Sequence, residues 1–310
     1  MIRGTRSERI PRLMVDTRLV LDFLAPGRSH RYGREHRCQR AELHLPAGGG
    51  PHPVVVTIHG GSWTAGVSKR VMRGLAGDLA RRGYAVWNIE YRRMGRGQGG
   101  GWPATFADVA AAIDHLERVD APLDLARVTF YGHSAGGHLA LWAASRPRLP
   151  DGAPGARPRV EAVAAVSAAG VNDLAQSYRE TPGGVVGMLM GGGPDEVPER
   201  YRVADPIALV PLRIPVLLVH GTDDATVSVR RSRNYAQAAR AAGASVELVE
   251  IPGEAGSHRS HVFPSSASWA AVRGWLATRP QAPARGSGER SPATPAGTPT
   301  AAAAAPPPHR

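Results

Sequence analysis

The middle of the chain alternates short apolar runs with segments of helical periodicity. The apolar runs are rich in β-branched side chains and end at turn residues, which is typical of buried strands. The segments between them repeat apolar residues every three or four positions, as amphipathic helices do. The predicted strands are 53–58, 84–91, 128–132, 160–167, 215–220 and 245–251, and the predicted helices are 69–82, 105–118, 135–145, 229–242 and 265–278.

This alternation predicts an α/β fold. Near-continuous aliphatic strands separated by helices indicate a mostly parallel central sheet with helices on both faces, because both faces of each strand must then be buried. Ligands of such sheets lie beyond the carboxyl ends of the strands. We therefore expect the chemically active side chains directly after strands.

Three segments depart from this pattern. Residues 1–40 form a basic lead-in that we expect to be partly ordered, and residues 41–278 form the folded domain. Residues 279–310 are rich in proline and alanine and have too few large apolar side chains to form a core, so they predict a disordered tail. Within the domain, residues 169–212 carry a glycine cluster and two methionines, which fits either a small cap-like insertion or an ordinary connection of short helices.

Composition narrows the class of protein. The chain has 310 residues, of which 42% are hydrophobic, enough for one large core. Of the net charge of +12, +6 lies in residues 1–40 and +3 in residues 279–310, so no basic face is concentrated in the domain and no nucleic-acid partner is predicted. Cys38 is the only cysteine, which rules out an intrachain disulfide and fits a cytoplasmic location.

The apolar runs are too short to cross a membrane. None approaches the ~20 residues that a transmembrane helix requires. Asp16 and Asp22 interrupt the one stretch near the start of the chain that could be a signal peptide. We therefore expect neither a membrane anchor nor a leader.

The sequence Gly132-His133-Ser134-Ala135-Gly136 lies between a predicted strand and a predicted helix. A G-x-S-x-G in that context is a nucleophile elbow, a turn so sharp that both flanking positions need a residue without Cβ. The turn lifts the serine hydroxyl above the sheet, at the N-terminus of the next helix. Ser134 is therefore the predicted nucleophile.

A second glycine motif follows the first strong strand. It reads His59-Gly60-Gly61-Ser62-Trp63, and its two glycines let backbone N–H groups face a substrate oxygen. Gly60 and Gly61, together with Ala135, are the predicted oxyanion-hole donors. His59 is expected to support this loop rather than to act as a base.

The acid and the base are expected after later strands. Asp223 and Asp224 both follow the strand 215–220, and either can also cap the next helix; Asp224 is the preferred acid. His258 follows the last strand and is the preferred base, with His261 as the rival. The order serine, aspartate, histidine is that of the α/β-hydrolase fold. The remaining histidines show no metal-ligand spacing, so neither a metal nor another cofactor is expected.

With these motifs in place, residues 41–278 resemble the esterase and kynurenine-formamidase-like branch of the α/β-hydrolases. HGGSW at 59–63 is similar to the HGGxW motif of kynurenine formamidases, and GHSAGGHLA at 132–140 resembles their elbow and that of many carboxylesterases. HGTDDATV at 220–227 resembles the acid segment HGxxDxxVP and places the acid on Asp224, with Ser228 in place of the usual proline. The histidine segment departs from the pattern, because Arg259 rather than an aromatic residue follows His258.

These motifs predict a serine hydrolase that acts on a small-molecule substrate. It would cleave a small carboxylic ester or an aryl-formamide through an acyl-enzyme intermediate. Trp63, Trp102 and Met188 are candidates for the wall of an apolar pocket, and core packing is the alternative for the tryptophans. A noncatalytic small-molecule binding protein of the same fold is the other candidate function. The sequence leaves the oligomeric state open.

Overall fold

The computed structural model describes residues 25–278, and these residues form one eight-stranded sheet flanked by helices. The strands are β1 (Arg28–Arg31), β2 (Arg40–His44), β3 (His52–Ile58), β4 (Ala85–Ile89), β5 (Leu123–His133), β6 (Ala164–Ala168), β7 (Val216–Gly221) and β8 (Val246–Ile251). Their order across the sheet is β1-β2-β4-β3-β5-β6-β7-β8. β1 and β2 are antiparallel to their neighbours, and all the other pairs are parallel.

Eight α-helices connect and cover the described strands. They are α1 (Arg73–Arg81), α2 (Ala104–Asp114), α3 (Ala135–Ser145), α4 (Leu174–Glu180), α5 (Val185–Met190), α6 (Pro198–Ala204), α7 (Arg230–Ala241) and α8 (Ala267–Thr278). Short 3₁₀ helices cover Lys69–Met72, His115–Arg118, Arg146–Arg148, Pro206–Leu209, Gly253–Gly256 and His258–Val262. None of the helices between residues 25 and 278 combines the length and the apolar character that a membrane crossing requires.

The valine run at the centre of strand β3 shows why such a segment is apolar. Val54 and Val56 belong to the core on one face of the sheet, where Phe106 of α2 and Trp142 of α3 also pack. Val55 faces the opposite core. Because successive side chains of a strand point to opposite faces and both faces are covered, none of these three can be polar. The predicted α/β-hydrolase fold, with its mostly parallel sheet and helices on both faces, is confirmed.

The two antiparallel strands at one edge were not predicted. β1 is the tetrapeptide Arg-Ser-His-Arg, with no apolar side chain, and it lies within the segment predicted as a lead-in. β2 is only five residues long, and only three of them are buried. Strands of this kind form by pairing with an existing sheet rather than by their own hydrophobic pattern. The predicted tail, 279–310, lies outside the described residues.

Residues 169–212 fold as three short helices, α4 to α6, and the 3₁₀ turn Pro206–Leu209. A buried carboxylate anchors them, because Asp205 accepts backbone N–H bonds from Leu174 and Ala175, each at 2.9 Å. Burial raises the pKa of Asp205 to about 7. The segment thus consists of short helices, and part of it borders the site described below.

Three buried histidines lead us to predict acid sensitivity of the fold. Burial lowers the pKa of His133 well below its usual value, that of His138 to about 4 and that of His261 to about 3. Above pH 6.5 both the folded and the unfolded chain hold these rings neutral. As the pH falls from 6.5 towards 4, the unfolded chain binds protons that the folded chain does not, so the free energy of unfolding decreases. The three groups together contribute a loss of about 4 kcal/mol between pH 7.5 and 5.5. Asp205 gains a proton in the folded chain over the same range and offsets part of this loss, so urea unfolding should show a smaller net decrease.

His261→Leu isolates one of these contributions. Both ring nitrogens of His261 are buried without a hydrogen-bond partner, so the substitution removes a titrating group and no hydrogen bond. The pH-dependent loss should be smaller than that of the wild type by about 1.4 kcal/mol, the share of one of the three groups, whatever the substitution does to stability at pH 7.5. An equal loss in the variant and the wild type would contradict the assignment.

Candidate functional site

Ser134 lies in the turn between β5 and α3, at the carboxyl edge of the sheet. Its φ of 56° is in the left-handed region, where residues other than glycine are rare. Ser62 and Trp63, in the glycine-rich loop after β3, also have positive φ, at 53° and 56°. Strained backbone of this kind persists only where the surrounding structure enforces it, and it gathers here around one hydroxyl.

The glycines on either side of Ser134 are required by close backbone approaches. A Cβ on Gly132 would lie 1.9 Å from the carbonyl oxygen of Gly136, and a Cβ on Gly136 would lie 2.0 Å from that of Ile58. Neither backbone can move away without disturbing the sheet. The G-x-S-x-G spacing therefore follows from the packing of the turn.

His258 and Asp224 are in direct contact. The Nδ1 atom of His258 lies 2.7 Å from Oδ2 of Asp224. The other oxygen, Oδ1, accepts the backbone N–H groups of Thr226 at 2.8 Å and Val227 at 3.0 Å. Burial alone would raise the pKa of Asp224, but hydrogen bonds from His220, His258 and Val227 outweigh it and hold the pKa far below the usual range. The carboxylate is thus ionised and fixed at both oxygens.

The two rival residues have other contacts. Oδ2 of Asp223 accepts the backbone N–H of Gly253 at 3.1 Å, a bond that ties the turn after β7 to the loop after β8. His261 is fully buried, and its ring stacks against His133 with the centroids 5.9 Å apart. The structure therefore brings Asp224 and His258 together, and it places Asp223 and His261 in supporting positions.

The loop after β3 is held from behind by a buried ion pair. His59 is fully buried, with Nε2 2.7 Å from Oε1 of Glu90 and Nδ1 2.8 Å from the carbonyl oxygen of Gly60. Burial would raise the pKa of Glu90, but the attraction and hydrogen bond of His59, the charge of Arg93 and the backbone N–H of Lys69 lower it, so the carboxylate stays ionised. In a trans peptide the carbonyl and the following N–H point in opposite directions, so fixing the oxygen of Gly60 also fixes the N–H of Gly61.

His133, which precedes Ser134, has a role that the sequence did not indicate. Its Nε2 lies 2.9 Å from the backbone carbonyl oxygen of His258. Since burial keeps the His133 ring neutral and a carbonyl only accepts, Nε2 carries the proton and donates it. This bond attaches the loop after β8, which carries His258, to the turn between β5 and α3. Only the position of His133 inside the elbow motif could have suggested it.

Two cavities meet at Ser134. The larger, of about 630 Å³, is lined by Gly60, Gly61, Ser62, Val67, Val71, Gly74, His133, Ser134, Thr226, His258, Arg259, Val262, Phe263 and Pro264. The smaller, of about 350 Å³, is lined by Ser62, Trp63, Ser134, Val171, Ser177, Glu180, Thr181, Gly184, Val185, Val186, Thr226, Val227, Ser228 and Arg231. Ser134 and His258 thus share the larger cavity with Gly60 and Gly61. Ala135, the first residue of α3, has an N–H that no carbonyl of its own helix can accept.

The predicted pocket residues have different positions. Trp63 is buried and lines the smaller cavity. Trp102 packs on the core edge-on to Phe106, with the centroids 5.1 Å apart. Met188 is 59% exposed and lines neither cavity, because α5 buries Val186, Leu189 and Met190 instead and turns Met188 to solvent. Within residues 25–278, no group of three or more His, Cys, Asp or Glu side chains is placed to hold a metal ion.

Comparison with known structures supports the fold. A truncated carbohydrate esterase from gut microbiota superposes with a TM-score of 0.69 at 23% identity, over 81% of this chain and 96% of that one. The butyrate-bound esterase Est2 of Thermogutta terrifontis superposes with a TM-score of 0.65 at 22% identity, over 81% of this chain and 94% of that one.

Relatives by sequence include two proteins of Mycobacterium tuberculosis (strain ATCC 25618 / H37Rv). The esterase LipQ is 31% identical over 208 residues, which are 64% of this chain and 49% of LipQ. The probable carboxylic ester hydrolase LipM is 30% identical over 220 residues, which are 66% of this chain and 48% of LipM. The chain therefore spans about half the length of these curated relatives. Residues 42–238, which include the Gly60–Gly61 loop, the turn at Ser134 and Asp224, match the BD-FAE family, and the chain belongs to that family.

Proposed function

We propose that the chain is a serine hydrolase that cleaves a small carboxylic ester through an acyl-enzyme intermediate. The observation that carries this proposal is that His258, which contacts the ionised Asp224, lines the same cavity as Ser134 and the Gly60–Gly61 loop. The esterase names of the sequence relatives support the same reaction class.

The bond between His258 and Asp224 fixes the tautomer of the imidazole. An ionised carboxylate only accepts, so Nδ1 of His258 carries the proton and Nε2 is free to act as a base. In the proposed mechanism Nε2 removes the Ser134 proton as Oγ attacks the ester carbonyl. The N–H groups of Gly60, Gly61 and Ala135 stabilise the oxyanion. The imidazolium then protonates the departing alkoxide, and water, activated by the same ring, releases the carboxylic acid from the serine ester.

Two alternatives remain to be separated by experiment. One is an aryl-formamide substrate, which the HGGSW motif suggests; the other is a noncatalytic binding protein. A fluorophosphonate probe should label the folded protein at Ser134, identified by peptide mass, whereas a binding protein would stay unlabelled. The kcat/KM for short-chain acetate and butyrate esters should exceed that for N-formylkynurenine, and the opposite order would move the proposal to the formamide.

Glu90→Gln tests the support of the loop after β3 that carries Gly60 and Gly61, here called the oxyanion loop. The amide keeps the size of the side chain but removes the charge that holds His59 and, through it, the carbonyl of Gly60. We expect kcat for a short-chain p-nitrophenyl ester to fall by about ten- to a hundredfold with little change in KM, because an oxyanion hole acts on the transition state. The matched control is Glu250→Gln, which removes a carboxylate charge paired with Arg233 and lies outside both cavity linings, and it should not reproduce this kcat-specific loss. A rise in KM alone would argue against the loop role.

A further inference from the structure

The two cavities at Ser134 can be assigned to the two halves of an ester, given the proposed function. The leaving oxygen must receive its proton from His258, so the alcohol half has to lie on the side of that ring. His258 lines the larger cavity and not the smaller one. The larger cavity therefore takes the alcohol half, and the smaller cavity, which also borders Ser134, takes the acyl half.

The alcohol cavity has an apolar wall and one permanent charge. Val67, Val71, Val262, Phe263 and Pro264 supply its apolar surface. Arg259 is the only one of its lining residues that is always charged, and no aspartate or glutamate lines it.

Arg259 is also free to bind a ligand. Among residues 25–278 its side chain has no ion-pair or hydrogen-bond partner, and it is exposed to solvent. The acyl cavity differs, because its two charged residues, Arg231 and Glu180, form a salt bridge with each other. A guanidinium at the mouth of an apolar cavity matches an anionic oxygen group at the far end of an apolar ligand.

We infer that Arg259 selects esters whose alcohol half is an apolar, aromatic-sized group ending in a carboxylate or another oxyanion. The apolar body of the alcohol packs against Phe263 and the valines, and its anionic end binds the guanidinium. The position of Arg259, directly after His258, places this charge on the leaving-group side of the scissile bond.

The experiment compares two acetate esters of the same size. One is the acetate of para-hydroxyphenylpropanoate, and the other carries a primary amide in place of the carboxylate. The methylene spacer keeps the reactivity of the two phenol esters similar, so their kcat/KM ratio reports recognition of the charge. We expect the wild type to favour the anionic ester about fivefold or more at low ionic strength, and to lose most of this preference in 1 M salt.

Three variants test the residue. Arg259→Gln should bring the ratio close to one, and Arg259→Lys should keep part of the preference, because the charge remains while the planar fork is lost. Arg118 is exposed and precedes the amino end of β5, whereas Ser134 follows the carboxyl end of that strand. Arg118→Gln should leave the ratio unchanged. A wild-type ratio near one, or a ratio in Arg259→Gln equal to that of the wild type, would overturn the inference.

Two further measurements separate this inference from the proposed function. The Kd of the product para-hydroxyphenylpropanoate, measured by calorimetry on Ser134→Ala, reports the anion site without catalysis, and it should weaken on adding Arg259→Gln. Failure to hydrolyse either ester, together with intact charge-dependent binding, would refute the esterase proposal and retain the anion site. If the enzyme instead prefers esters that carry the negative charge on the acyl half, the assignment of the two cavities is overturned.

Discussion

We expect Ser134→Ala to reduce kcat/KM for a short-chain p-nitrophenyl ester by a factor of about 10⁴ or more. The substitution removes the hydroxyl that forms the acyl-enzyme in the proposed mechanism, while the oxyanion loop and both cavities remain. The residual rate comes from direct attack of water on the bound ester, with the oxyanion loop still stabilising the oxyanion. The measurement is steady-state hydrolysis, together with the loss of fluorophosphonate labelling.

The control for this variant is a serine in the same helix region. Ser145 is buried at the end of α3 and lines neither cavity; its hydroxyl donates to the carbonyl of Trp142 at 2.7 Å. Ser145→Ala makes the same chemical change, and its rate should stay within a few fold of the wild type. Both variants should keep a cooperative thermal unfolding transition. Retained turnover in folded Ser134→Ala would refute the assignment of the nucleophile.

Asp224→Asn should cost about 10⁴-fold in kcat. The carboxylate now accepts the Nδ1 proton of His258 at 2.7 Å and so leaves Nε2 free to act as the base. An asparagine amide can donate to Nδ1 instead, which moves the ring proton to Nε2 and blocks proton removal from Ser134. The bonds from Thr226 and Val227 can still be accepted by the amide oxygen, so the turn should remain folded.

The neighbouring aspartate provides a matched control. Asp223 accepts the backbone N–H of Gly253, and within residues 25–278 it forms no hydrogen bond or ion pair with a histidine ring. We expect Asp223→Asn to reduce kcat by less than about tenfold, because the amide oxygen can accept the same bond. Equal losses in the two variants would contradict Asp224 as the acid and reopen the choice between the two residues.

The sequence predicted those parts of the site that depend on local geometry. The spacing of Gly132, Ser134 and Gly136 reflects backbone contacts within a single turn, so the motif specifies its own structure. The choice of Asp224 over Asp223 relied on a family pattern, and the structure gives it a physical basis in the contact with His258.

The pocket and the sheet edge were harder to predict because they depend on tertiary placement. Met188 and Trp63 were both candidates for the pocket wall. The rotation of α5 turns Met188 to solvent, and the left-handed backbone of the loop after β3 brings Trp63 to the smaller cavity. Nothing in the hydrophobic pattern encodes either orientation. Similarly, β1 contains no apolar residue, and it becomes a strand only because β2 offers it unpaired backbone groups.

The left-handed backbone at Ser134 has an evolutionary consequence. A non-glycine residue at such a φ costs the fold about 1 to 3 kcal/mol, and glycine adopts it freely. Under the proposed function, selection for catalysis is what maintains a side chain at this position. In a descendant freed from that selection, mutation to glycine would increase stability while removing the hydroxyl. A glycine at the position of Ser134 in a relative would mark a lineage that has given up hydrolysis and kept the scaffold.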